Sequence, residues 1–210
     1  MTIKDFGGRV ADVWAGMRPV TRKMVVGAMQ AVGQANSYAP IVSQSNSSKT
    51  FFFDAHADWE LSRLLTELDE RVLESEVHSN VQKFREIKRM ANACAEVLQA
   101  QTASAEVFIQ LATRALRRAD FARLDKLADS LSERFSVGEM CEIVRQSEQV
   151  AIRALALEAL ALTPTIQLLP LLDDPVYGDI IRVTLETQVV EYNSEEAKGL
   201  LEELAMEQYL

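Results

Sequence analysis

Three residues alternate through Phe51-Phe-Phe-Asp-Ala-His-Ala-Asp-Trp59: Asp54, His56 and Asp58. Carboxylate and imidazole donors suit a divalent ion such as Mn(II), and an ion held there could activate water for hydrolysis. The same residues fit a second role. Asp54 or Asp58 can accept the first N–H groups of a helix beginning near Trp59, whose positive end also favours acids in its first turn.

The segment resembles the Asp-Ala-His-x-Asp element of ureohydrolases such as arginase and agmatinase. That resemblance would make Asp54, His56 and Asp58 metal ligands in a metal-dependent hydrolase. Those enzymes also carry a Gly-Gly-Asp-His loop and a later Asp-x-Asp element on a doubly wound parallel sheet. Neither element occurs here, and the only other histidine is His78. After residue 60 the apolar residues recur with helical period, which supplies no sheet. Helix capping is therefore the preferred reading, with no metal and no cofactor expected, and hydrolysis is the alternative.

Other reactive or charged groups point the same way. Arg114, Arg117, Arg118 and Arg123 could hold a phosphate or an acidic peptide. Nearby Glu106, Asp120, Asp125 and Asp129 favour a solvated, ion-paired helix face instead. Cys94 and Cys141 lie in helical apolar patterns and read as small hydrophobes, not a disulfide framework. Phe51, Phe52 and Phe53 need cover on both faces, so they plug a core or anchor a partner. The chain has no Gly-rich phosphate loop, Gly-x-Ser-x-Gly, His-Glu-x-x-His or zinc spacing.

The elements that carry these groups read as helices throughout. The 210 residues hold only eight glycines and five prolines, and the rest is dominated by residues that lose little freedom in a helix. The formal charge is −9 and unevenly spread. Six basic residues against two acidic ones give +4 up to Thr50, leaving −13 beyond it. The expected division is an N-terminal arm (1–35), a Ser/Asn-rich linker (36–50) and an acidic helical domain (51–210). So acidic a body disfavours nucleic-acid binding. No run approaches the ~20 apolar residues that span a bilayer, the start lacks a secretory pattern, and a cytoplasmic location is expected.

In the arm, Val20 to Ala35 reads as one helix with a wide apolar face. It either folds onto the body or docks elsewhere. If it docks, Met24, Val25, Met29 and Val32, with Arg22 and Lys23, are the expected contacts for a protein partner or a second copy. A membrane surface is the weaker option, since few cations flank the helix.

In the body, Leu61, Leu64, Leu65, Leu68 and Val72 mark one helix face. A shifted pattern from Val77 through Leu98 marks another, with a break near Ser75 to Ser79 and a cap from Ser79 with Gln82. Further helices are expected to begin near 104, 120, 136, 148, 164, 175 and 194, pairing at roughly 30-residue spacing. Val150 to Leu160 and Leu168 to Leu185 resemble the short HEAT-type repeats of bacteria. Asp173, Arg153 and Arg182 match the repeat's positions, while Thr184 replaces its usual small residue. The resemblance implies stacked antiparallel hairpins. HEAT-like folds include helical-repeat DNA glycosylases, whose concave basic surface this acidic body does not match. The expectation is thus an all-α protein, a degenerate helical repeat or irregular bundle, acting as a non-enzymatic adaptor or scaffold.

Overall fold

The computed structural model describes residues 3–35 and 54–207, so the linker and Phe51 to Phe53 lie outside the described residues. Those described are all-α, with no strand among them. The chain forms two compact units, Met1–Thr102 and Ala103–Leu210. The boundary falls between two helices of what the sequence reads as one body, and the first unit includes the helix assigned to the arm.

The first unit opens with a 3-10 turn, Ile3–Phe6, and the helices α1 (Gly8–Gly16) and α2 (Pro19–Ala35). There follow α3 (Ala55–Leu73), a single turn α4 (Ser75–His78), and α5 (Val81–Gln101). Leu61, Leu64, Leu65 and Leu68 of α3 are fully buried, each such side chain contributing ~1.5–3 kcal/mol relative to exposure. The α3 stripe meets α5, and α2 packs on α5 as well. Serving two neighbours, α5 buries a broad arc that includes the small residues Ala91, Ala93, Cys94 and Ala95. Small side chains let both helices approach closely.

The break between α3 and α5 lies where the pattern shifts, but Ser79 is not the cap. Asn80 is, its side chain accepting the Lys83 N–H at 3.0 Å, and Ser79 instead ends α4. Val81, four residues after Val77 in the shifted pattern, is 59% exposed at the first position of α5.

The second unit contains α6 (Ala105–Arg117), α7 (Phe121–Arg134), α8 (Val137–Gln146), α9 (Val150–Ala161), α10 (Thr165–Leu168), α11 (Gly178–Tyr192) and α12 (Glu195–Glu207). A 3-10 turn at Leu169–Leu171 extends α10. Successive helices pair as α6 with α7, α8 with α9 and α11 with α12, while α6 also meets α8, α7 meets α9 and α9 meets α11. Asp120 and Ser136 cap α7 and α8 through their side chains. Ser194 does the same for α12, accepting the Ala197 N–H at 3.2 Å. Before α6 the Ser104 side chain makes no cap bond. There, Glu139 of α8 accepts the Ala105 N–H at 2.5 Å.

The connection into α11 is tight. A Cβ on Gly178 would lie 2.6 Å from the Leu172 carbonyl oxygen, so only glycine fits that approach. Asp174 accepts the N–H groups of Val176 and Tyr177 at 2.8 and 3.0 Å, forming the turn that starts the helix. At its far end Asn193 adopts a left-handed conformation, φ 51°, and stops α11 before α12.

Candidate functional site

The Asp54-x-His56-x-Asp58 segment lies at the start of α3, and its three side chains separate. Asp54 is the N-cap, accepting the N–H groups of His56 and Ala57 at 3.0 and 3.1 Å. Its other oxygen meets the Arg18 guanidinium at 3.0 Å. Asp58 is buried, its Oδ1 accepting from the Gln101 amide at 2.9 Å. His56 is exposed, edge-on to Trp59 and 3.5 Å from a Glu60 oxygen. Residues two apart on a helix point about 200° away from one another, so the first turn of α3 disperses these donors. Among the described residues no group of three or more His, Cys, Asp or Glu side chains is placed to hold a metal ion.

The residue that gathers this region is one the sequence did not single out. Glu60 is 3% exposed, and one of its oxygens accepts the Arg18 backbone N–H at 2.7 Å. The other accepts Arg18 Nε–H at 3.2 Å and the Thr21 hydroxyl. Arg18 immediately precedes α2, so a carboxylate from α3 serves the start of that helix as a side-chain cap would. Burial raises the Glu60 pKa, but the Thr21 hydroxyl, the Arg18 N–H and the guanidinium lower it further, and it lies below the ordinary value of 4.5. A carboxylate so fully occupied holds structure together and leaves no oxygen ready to take a proton from a substrate.

Beside it lies a hollow of about 150 Å³ lined by Asp12, Val13, Gly16, Met17, Trp59, Glu60 and Arg63. Arg63 stacks over the Trp59 ring at 5.6 Å. A second hollow, about 190 Å³, is walled by Arg9, Glu67, Glu70, Arg71 and Glu74. Its charges are already paired, Arg9 with Glu70 at 3.2 Å and Arg71 with Glu74. Both are smaller than the ~300 Å³ at which ligand pockets usually begin.

The expected docking residues of α2 are partly consumed within the first unit. Val25 is fully buried, Arg22, Met24 and Met29 are half-buried, and Lys23 is exposed. The Val32 side chain lies outside the described residues. The helix turns Thr21 and Val25 inward, leaving outward Val20, Lys23, Val26, Gly27 and Gln30. Nor do the four arginines form one patch. Arg114 is buried, and Arg123 pairs with Asp120 at 3.5 Å. Cys94 and Cys141 are buried and free, and burial, with Asp174 and Glu142 nearby, raises the Cys141 thiol to about 11. It is thus a poor nucleophile near neutrality.

The second unit presents a different kind of surface. Ile181, Thr184, Leu185 and Gln188 form the buried face of α11. On its opposite side Val183 and Val190 are 51% and 78% exposed, and Val176 in the preceding turn is 53% exposed. Ile180 and Thr187 are half-buried along the same edge. The Thr187 hydroxyl donates to the Val183 carbonyl at 2.9 Å, satisfying its polar atom locally and leaving its methyl to extend the apolar row. This row is masked in the sequence because α11 carries two apolar stripes side by side. The signal was present: Ile180, Val183, Thr187 and Val190 recur at helical intervals beside the buried set. Among the described residues no helix is long and apolar enough to cross a membrane.

Comparison of the chain with models of protein families, with curated proteins and with solved structures finds no match.

Proposed function

We propose that the protein is a non-enzymatic interaction module, an adaptor or scaffold, whose helical body presents a docking face to a protein partner. The observation that carries this reading is the two-sided apolar character of α11. One face enters the core of the second unit, while Val183 and Val190 on the other stand exposed. β-Branched residues are mediocre helix formers, and nothing in helix stability favours them over Glu, Lys or Ala at solvent positions. Exposed apolar side chains aligned along one helix face support a docking role.

Affinity capture from native lysate tests this, comparing the full chain with a Val183→Ser/Val190→Ser variant of unchanged helicity and melting temperature. A partner retained by the full chain and lost by the variant supports the module. If the chain retains no partner, or the variant retains the same ones as well, the reading fails.

A further inference from the structure

The surroundings of the α11 row select the chemistry of its occupant. Between Asp173 and Glu196 the sequence carries seven carboxylates and one guanidinium, Arg182. Within α11, Asp179, Glu186 and Glu191 are exposed. At about 100° per residue, Asp179 and Glu186 fall immediately to one side of Val183 and Val190, with Ile180 and Thr187 on the other. The row is thus an apolar seam bordered by Asp179 and Glu186, with the exposed Arg182 beyond them, an edge that stays net acidic. Val183 and Val190 are one heptad apart, about 10 Å along the axis, the interval at which a second helix of matching period keeps its own apolar residues in contact.

Building on the interaction-module reading, we infer that this face binds a basic amphipathic helix of another protein, its apolar stripe on Val183 and Val190 and its Lys or Arg residues against Asp179 and Glu186. A second copy of this chain is the wrong occupant. An antiparallel two-fold pairing of α11 with itself sets the Asp179 and Glu186 border against an identical one, where like charges repel, and a parallel pairing sets that border against Ile180 and Thr187, leaving its charges unanswered. An acidic or uncharged helix would satisfy the valines and leave the border unanswered.

The test uses the full chain and a fluorescent amphipathic Leu/Lys peptide of about 14 residues, four helical turns. A scrambled peptide of the same composition and an amphipathic Leu/Glu peptide are titrated alongside, by anisotropy at roughly 0.15 M salt. The Leu/Lys helix is expected to bind at least about tenfold tighter than either control. Val183→Ser/Val190→Ser and, independently, Asp179→Lys/Glu186→Lys should each weaken it about tenfold or more. Asp125→Lys/Asp129→Lys on α7 makes the same change in net charge and should leave binding nearly unchanged.

Four results would overturn the inference: no binding of the Leu/Lys peptide; equal binding of the scrambled or Leu/Glu peptide; equal loss in the α7 variant; or a concentration-dependent dimer abolished by Val183→Ser/Val190→Ser. If the peptide fails while lysate capture still yields a partner lost by the valine variant, the module stands and only the basic-helix assignment falls. If capture also fails, both fall.

Discussion

Glu60 accepts both the backbone N–H and the guanidinium Nε–H of Arg18, at 2.7 and 3.2 Å, across 42 residues of sequence. A single buried acid on α3 thereby fixes where α2 begins. With Thr21 on the same carboxylate and Asp54 on the same guanidinium, the helix read from sequence as an arm is tied to the first unit by polar contacts as well as by Val25.

Glu60→Gln should therefore destabilise the first unit by about 1.5–3 kcal/mol, the range for a hydrogen bond to a charged group. Its folded-state pKa lies below the ordinary 4.5, so its contribution is complete above that pH and is lost as pH falls through the folded value. Thermal melts of the parent chain should lose stability more steeply on acidification below pH 4.5 than those of the variant. Parallel curves would remove Glu60 from this role.

Leu64 is fully buried and Leu73, on the same helix, is 78% exposed. Leu64→Ala should cost about 2–5 kcal/mol through lost transfer energy and a cavity. Leu73→Ala should change stability by no more than about 0.5 kcal/mol. Denaturant unfolding of both variants checks the contrast.

These contrasts mark what could be read from sequence. The leucine stripe of α3 and the starts of α7, α8 and α12 were legible because they depend on period and on capping residues a few positions away. The grouping of α2 with α3 and α5 was not, because its decisive contacts join Arg18 and Thr21 to Glu60. Composition placed a boundary in the Ser/Asn-rich run. The compact units divide after Thr102, where neither Gly nor Pro signals a break. Capping at Asp54 was legible for the same local reason as the other caps. The exposed row on α11 was hidden beside a second apolar stripe.

Asp54→Ala removes the acceptor for two N–H groups at the start of α3 and should lower the melting temperature, by less than Leu64→Ala does. Asp54→Asn keeps a capping side chain and should recover most of the loss. Added Mn(II) should leave the melting temperature of the parent chain unchanged. A metal-dependent rise abolished by Asp54→Ala would return the segment to metal chemistry.

Gly178→Ala should destabilise the second unit by about 1–3 kcal/mol, since the new methyl meets the Leu172 carbonyl oxygen and the turn into α11 must shift. Chemical denaturation followed by circular dichroism measures the effect. A neutral result would mean that the turn yields without cost.

The docking role of α11 is measured by amide hydrogen exchange of the full chain, free and bound to a partner captured from native lysate. The partner should slow exchange through Gly178–Tyr192, and Val183→Ser/Val190→Ser should abolish this protection while preserving the exchange pattern of the free protein. Protection confined to α2, with α11 unchanged, would remove α11 from docking and return that role to the N-terminal helix.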